Sequence, residues 1–65
     1  MILVLKDLRT DKGLSQKEVY NQTKIHMGRI ESRINIPSIS TLSVLLKFFN
    51  IRMSEFFQRI ENMKL

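Results

Sequence analysis

Apolar and polar residues follow each other along this chain with the period of an α-helix. In the first stretch Ile2, Leu5 and Leu8 fall on one helical face, with Val4 as a further candidate, while lysines and aspartates fall elsewhere. Later stretches repeat the spacing of three and four residues, and no run alternates strictly between apolar and polar positions. The pattern therefore predicts an all-α protein without β-strands.

Local start and stop signals divide this pattern into five short helices. Gly13 suits the left-handed end of the first helix, and Ser15 with Glu18 is a capping box that opens the second. Pro37 cannot continue a helix, and Ser38 can cap the fourth. The predicted helices are residues 2–12, 16 to 22 or 23, 26–32, 39–49 and 53–62. We expect a compact bundle that forms a single domain over residues 1–65, because the chain is long enough for only one core.

The chain has more apolar residues than one small core can hold. Ten are predicted to form that core: Leu5, Leu8, Leu14, Val19, Ile25, Ile30, Leu42, Leu45, Phe49 and Phe56. Five more remain in the fourth and fifth helices: Val44, Phe48, Met53, Phe57 and Ile60. An exposed apolar patch usually marks a partner surface, so these five predict a homodimer interface. The alternative is that the fifth helix folds over and buries them within one chain.

Net charge points to the class of partner. Eleven Lys and Arg residues against six Asp and Glu residues give a net charge of +5, which attracts polyanions or an anionic membrane surface. Between Thr23 and Arg52 the only acid is Glu31, whereas five basic residues lie there: Lys24, Arg29, Arg33, Lys47 and Arg52. This distribution favours nucleic acid, and the alternative is a charged surface that serves solubility. The basic residues do not line one face of an amphipathic helix, which argues against membrane binding.

The composition argues against several other classes of protein. The chain has no cysteine, hence no disulfide, thiolate nucleophile or zinc ribbon, which fits a reducing compartment. The apolar start "MILVL" is too short for a signal peptide or a membrane span. One histidine and six scattered acids make neither a catalytic arrangement nor a metal site. We therefore expect a cytoplasmic protein that is not an enzyme and uses no metal, cofactor or small-molecule effector.

Five sequence motifs occur in an order that resembles a known family. They are "LKDLR" (5–9), "GLSQKEV" (13–19), "TKI" (23–25), "RIE" (29–31) and "PSISTL" (37–42), and "NIRMSEFF" (50–57) continues them. Together they are similar to the Cro and repressor type of helix-turn-helix proteins, also called XRE-like. The resemblance implies a lambda-repressor-like domain whose second and third helices form the helix-turn-helix. It also implies a transcriptional regulator that binds double-stranded DNA sequence-specifically, as a homodimer on a short palindromic operator.

The resemblance also implies roles for individual residues. Lys24, His26 and Arg29 match positions that contact bases, and Arg29 is the leading candidate because arginine binds guanine O6 and N7 bidentately. An alternative for Arg29 is a solvated surface position, and an alternative for His26 is to cap the third helix.

Two further sets follow from the resemblance. The candidate phosphate contacts are Gln16, Thr23, Arg33, Asn35, Ser38, Ser40 and Thr41, although plain N-capping is the simpler role for Ser38. Arg9 and Glu31 match a structural salt bridge between the first and third helices.

The chain departs from the family pattern in two places. It has about three fewer residues between "LSQ" and "IE", so one turn is missing and fewer side chains reach a DNA groove. Lys24 and Arg33 stand where the family tends to have glycine. These departures keep a second hypothesis open: a protein-interaction module, or an antitoxin-like helix-turn-helix protein, with weak or no sequence-specific DNA binding.

Overall fold

The computed structural model describes residues 1–63, and over that range it contains five α-helices and no β-strand. The helices are α1 (Ile2–Asp11), α2 (Gln16–Thr23), α3 (Met27–Glu31), α4 (Ile39–Phe48) and α5 (Met53–Met63). The prediction of an all-α protein with five short helices is confirmed for this part of the chain. Each predicted helix end lies within one residue of the observed one.

The predicted helix caps at Ser15 and Ser38 are present. The Ser15 hydroxyl accepts a hydrogen bond from the backbone N–H of Glu18 at 3.0 Å, and the Glu18 carboxylate accepts one from the Ser15 N–H at 3.1 Å. Ser38 accepts a hydrogen bond from the backbone N–H of Thr41 at 3.2 Å. These bonds satisfy amides that have no partner inside a helix, which is why α2 and α4 begin where they do.

The backbone is left-handed at both positions where the family resemblance would place glycine. Lys24 has φ 62° and Arg33 has φ 67°. Lys24 ends α2, and its backbone N–H donates to the carbonyl of Tyr20 at 2.7 Å. A left-handed residue with a side chain is strained by about 1 kcal/mol. The chain thus keeps a glycine-like turn while carrying a basic side chain at each position.

One hydrophobic core lies between the five helices. Its buried residues are Val4, Leu5, Leu8, Val19, Met27, Ile30, Leu42, Leu45, Leu46, Phe49 and Phe56. Eight of the ten predicted core residues are among them, and Leu14 and Ile25 are half-buried at the edge of the core. Met27 and Leu46 were not predicted. Met27, the first residue of α3, is fully buried, so only part of this short helix can face outward.

The five residues predicted for a homodimer interface divide into two groups. Val44 and Phe57 are each 47% exposed. Phe48, Met53 and Ile60 are half-buried against the core, as expected if α5 covers them within one chain. None of the helices in residues 1–63 combines the length and apolar character that crossing a membrane requires.

Candidate nucleic-acid interface

An ion pair between Arg9 and Glu31 fixes α3 against α1. The Nε of Arg9 donates to Oε2 of Glu31 at 2.8 Å, and Nη2 donates to Oε1 at 3.0 Å. The third hydrogen bond of Arg9 goes to the carbonyl oxygen of Leu14 in the α1–α2 turn, at 2.7 Å. The two side chains are only 11% and 7% exposed. The salt bridge implied by the resemblance is therefore present, and it joins α1, the turn and α3.

The environment of Glu31 lowers its pKa. Burial by itself raises the pKa of this carboxyl group, but hydrogen bonds from Arg9 and Gln16 and the charges of Arg9 and Lys6 together outweigh it. The net direction is downward from the usual 4.5. Glu31 is thus held as a carboxylate, which suits a structural anchor.

Gln16 connects the start of α2 to α3. Its Nε2 donates to Oε1 of Glu31 at 3.1 Å. A Cβ atom added to Gly28 would lie 3.1 Å from Oε1 of Gln16, tighter than most real contacts of this kind. Gly28 therefore leaves room for the Gln16 side chain, and that side chain is already engaged within the protein. Any phosphate contact by Gln16 would have to be made by the same carboxamide.

Tyr20, Lys24 and His26 form a cluster at the α2–α3 turn, which we call the turn cluster. The rings of Tyr20 and His26 are 4.3 Å apart between centroids and tilted by 30°. The Lys24 ammonium lies 5.5 Å from the centre of the Tyr20 ring, within cation–π range. His26 occupies the N-cap position of α3, but its side chain makes no capping hydrogen bond. The alternative role as a cap is therefore wrong, and the imidazole stacks on Tyr20 instead.

Arg29 lies exposed on the outer side of α3. Within residues 1–63 its guanidinium makes no hydrogen bond and no ion pair. It lines a groove between α2 and α3 together with Gln16, Lys17, Tyr20, His26, Met27, Gly28, Ser32 and Ile34. Arginine is thus presented there with its donors available to an external acceptor.

A second groove runs between the α2–α3 turn and the loop before α4. Its polar lining residues are Lys24, His26, Asn35, Ser38 and Thr41. His26 borders both grooves, so the three candidate base contacts, Lys24, His26 and Arg29, belong to one continuous surface. The structure places three of the seven candidate phosphate contacts, Asn35, Ser38 and Thr41, along the second groove.

The remaining candidates differ in how available they are. The hydroxyl of Thr23 donates to the Val19 carbonyl at 2.7 Å and accepts from the Ile25 N–H at 3.1 Å, so it serves mainly to close the turn. The Ser38 hydroxyl is likewise engaged with Thr41. Arg33 and Ser40 are exposed but line neither groove.

Two features of this surface were not predicted from the sequence. Tyr20 lies one turn before the end of α2, and its importance depends on how the turn folds back over that helix. Three isoleucines, Ile34, Ile36 and Ile39, are 70–83% exposed, and Ile34 and Ile36 line the second groove. A signal for the isoleucines was available, since all three lie beside Pro37 in a segment predicted to be a loop and a helix start.

Within residues 1–63, no three His, Cys, Asp or Glu side chains come together in a way that could hold a metal ion. Comparison of the chain with family models, with curated proteins and with solved structures finds no match.

Proposed function

We propose that the chain is a sequence-specific DNA-binding transcriptional regulator with a lambda-repressor-like helix-turn-helix made of α2 and α3. In this proposal it acts as a homodimer on a short palindromic operator. The observation that carries the proposal is the continuous surface formed by Lys24, His26 and Arg29, three nitrogen-donor side chains held at the α2–α3 turn and on α3. The α3 helix that supports this surface is anchored by the Arg9–Glu31 pair.

The proposed DNA contacts follow from this arrangement. α3 has five residues, and at about 1.5 Å per residue it is only about 7.5 Å long. With Met27 and Ile30 buried, Arg29 is the one long side chain that α3 presents outward. In the major groove its guanidinium would bind guanine bidentately, while Lys24 and His26 extend the contact from the turn.

Phosphate contacts would fix the orientation of the protein on the duplex. Asn35 lines the second groove, and the exposed Arg33 and Ser40 are the sequence neighbours of Ile34 and Thr41, which line it. The left-handed backbone at Arg33 closes α3, since the N–H groups of Ile34 and Asn35 that follow it donate to the Arg29 carbonyl at 2.9 and 3.1 Å.

A homodimer is part of the proposal because one copy presents one short helix. The described residues span 33 × 24 × 23 Å, so two copies in contact can place their α3 helices about one turn of B-DNA apart, roughly 34 Å. Val44 and Phe57 are the exposed apolar residues proposed for this contact.

The second candidate function is a protein-interaction module with weak or no sequence preference for DNA. The exposed isoleucines Ile34, Ile36 and Ile39 favour it, since they lie beside the proposed DNA surface and apolar side chains there gain little from phosphates. The two functions differ in how binding responds to salt and to DNA sequence.

The test is selection of 20-base-pair duplexes from a random pool by the purified protein, followed by sequencing. Fluorescence anisotropy then compares the enriched duplex with a scrambled one across salt concentrations. We expect at least ~1000-fold preference at physiological salt. Arg29→Ala should reduce binding to the enriched duplex by about ten- to hundredfold and affect the scrambled duplex much less.

Lys47→Ala is the matched control, because it removes one positive charge from an exposed site that lines neither of the two grooves. Lys47→Ala should weaken binding to both duplexes slightly and equally. Weak binding to both duplexes that disappears as salt rises would instead mean that charge alone attracts DNA, and would favour the interaction module.

A further inference from the structure

We infer that Tyr20 is a positioning residue for DNA recognition, which holds the His26 imidazole and the Lys24 ammonium in the arrangement that meets the duplex. This inference rests on the proposed function and adds a residue that does not itself have to contact DNA. Its basis is the geometry of the turn cluster, in which one ring contacts both basic side chains.

Three contacts converge on Tyr20. Its ring stacks on the imidazole of His26 at 4.3 Å, its ring face lies 5.5 Å from the Lys24 ammonium, and its carbonyl accepts the Lys24 N–H at 2.7 Å. Tilted aromatic pairs at this distance are attractive, and so is a cation over a ring. The Tyr20 ring thus holds the two side chains that project from the turn, whereas the carbonyl contact to Lys24 is a backbone bond that any residue at position 20 would make.

The turn needs such support because its side chains have little else to hold them. Lys24 and His26 are exposed and lie between α2 and α3, and within residues 1–63 neither side chain makes a hydrogen bond. Long or exposed side chains lose rotamer freedom when they bind, which weakens binding unless they are ordered beforehand. Stacking on Tyr20 orders them in the unbound protein.

The shortness of α3 makes this ordering more important. α3 has one outward-facing long side chain, Arg29, so much of the recognition surface must come from the turn that precedes it. Rigidity of the turn before binding lowers the entropy that is lost when its side chains contact DNA. In this chain the Tyr20 ring, itself half-buried at the edge of α2, supplies that rigidity.

The test uses Tyr20→Leu, which keeps an apolar side chain on α2 but removes the ring, and Tyr20→Phe, which keeps the ring. Affinity is measured by anisotropy with the enriched duplex. Tyr20→Leu should weaken binding about tenfold, because both stacking contacts are lost, whereas Tyr20→Phe should stay within about twofold of the wild type. Thermal unfolding of each variant shows whether the fold is kept.

A variant without the Lys24 and His26 side chains shows whether Tyr20 acts on DNA binding through these two side chains or only through the stability of the fold. In the double variant Lys24→Ala/His26→Ala, adding Tyr20→Leu should change the affinity by less than about twofold, since nothing remains to be positioned. The chain has one histidine, so the ring-proton shifts of His26 in the NMR spectrum of the unbound protein can be assigned directly. They should move when Tyr20 becomes leucine and stay nearly unchanged when it becomes phenylalanine.

Three results would overturn the inference alone: wild-type affinity in Tyr20→Leu, an equal loss in the background without Lys24 and His26, or histidine shifts that do not respond to loss of the ring. If the wild-type protein enriches no duplex at all, the proposed function fails, and the inference fails with it. The wild-type selection therefore distinguishes the two failures before any variant is measured.

Discussion

The carboxylate of Glu31 receives hydrogen bonds from two helices at once, from Arg9 of α1 and from Gln16 of α2. Replacing it with glutamine keeps the size but leaves the largely buried Arg9 guanidinium without its counter-charge. We expect Glu31→Gln to lower the free energy of unfolding at neutral pH by about 3 kcal/mol, measured by urea denaturation.

The free energy of unfolding that Glu31→Gln loses should become smaller as the pH falls. The pKa of Glu31 is lowered on folding, so its stabilising contribution is complete above the ordinary value of 4.5 and is lost as the pH falls through the lower folded value. The difference between wild type and Glu31→Gln should therefore shrink when urea unfolding is repeated from about pH 5 down to about pH 3. Glu61→Gln, at an exposed site, is the control and should show no comparable trend. A difference that stays constant over this range would contradict the assignment.

At the residue scale, Lys24 and Arg33 keep a long basic side chain in a left-handed backbone conformation that favours glycine. Glycine would relieve the left-handed strain at either position, yet both carry a cation, of which Lys24 lines the second groove and Arg33 lines neither groove. The strain costs each residue about 1 kcal/mol, an amount that one or two phosphate or base contacts can offset. All three left-handed residues with side chains in residues 1–63, Lys24, Arg33 and Asn50, lie one or two residues past the end of a helix, so the backbone conformation itself serves folding. Only the choice of a cation over glycine is left to the proposed binding role.

At the scale of the helices, α2 approaches α3 where the Gln16 side chain lies against Gly28. Alanine in a helix is favoured over glycine by up to about 1 kcal/mol, but a Cβ at this position would push against the Gln16 carboxamide. The displaced carboxamide would lose its hydrogen bond to Glu31, worth about 1 kcal/mol. We expect Gly28→Ala to change the free energy of unfolding by less than about 0.5 kcal/mol, as measured in urea.

In a Gln16→Ala background the same change should be stabilising by up to about 1 kcal/mol, because the obstructing side chain is gone. The difference between the two backgrounds measures the coupling of the two helices through this contact. An equal effect of Gly28→Ala in both would show that Gly28 is not there to accommodate Gln16.

The sequence could predict the helices because most of them have a local boundary signal. Gly13 ends α1, the Ser15–Glu18 box begins α2, and Pro37 with Ser38 sets the start of α4. The burial of Met27 could not be predicted in this way, since α3 has only five residues and is too short to display a periodic face.

The stacking of His26 on Tyr20 was missed for a related reason. The two residues are six apart and belong to different elements, so their contact depends on the left-handed turn at Lys24 rather than on either helix pattern. The Arg9–Glu31 pair is farther apart in sequence, and it was anticipated only through the family resemblance. Local signals thus locate the helices, whereas the site depends on how those helices cross.

For the whole molecule, the proposed homodimer requires an apolar surface that would meet a second copy. Three sets of large apolar side chains are exposed on the described residues: Met1 and Leu3 at the start of α1, Val44 and Phe57 on α4 and α5, and the isoleucines Ile34, Ile36 and Ile39 around the start of α4. The isoleucines lie next to the groove lined by Lys24 and His26, where a protein partner would compete with DNA. Val44 and Phe57 line neither groove, so a dimer formed through them would leave the candidate DNA surface open.

We therefore expect Phe57→Glu, and Val44→Glu to a lesser degree, to convert a dimer of the wild-type protein into a monomer in sedimentation velocity experiments. In a symmetric dimer the introduced carboxylate would be desolvated and would face the same carboxylate of the second copy, which destabilises the contact. In the monomer the position is 47% exposed, so the charge is tolerated and the circular dichroism spectrum should not change. Ile36→Glu, at an 83% exposed position among the isoleucines, is the matched control and should remain dimeric.

DNA binding provides an independent readout of the same variant. A monomer contacts one half-site, so Phe57→Glu should weaken binding to a palindromic duplex by at least about a hundredfold while leaving binding to a single half-site nearly unchanged. If Ile36→Glu dissociates the dimer and Phe57→Glu does not, the interface lies on the isoleucines. That arrangement would cover the groove beside Lys24 and His26, and it would support the interaction module over the DNA-binding regulator.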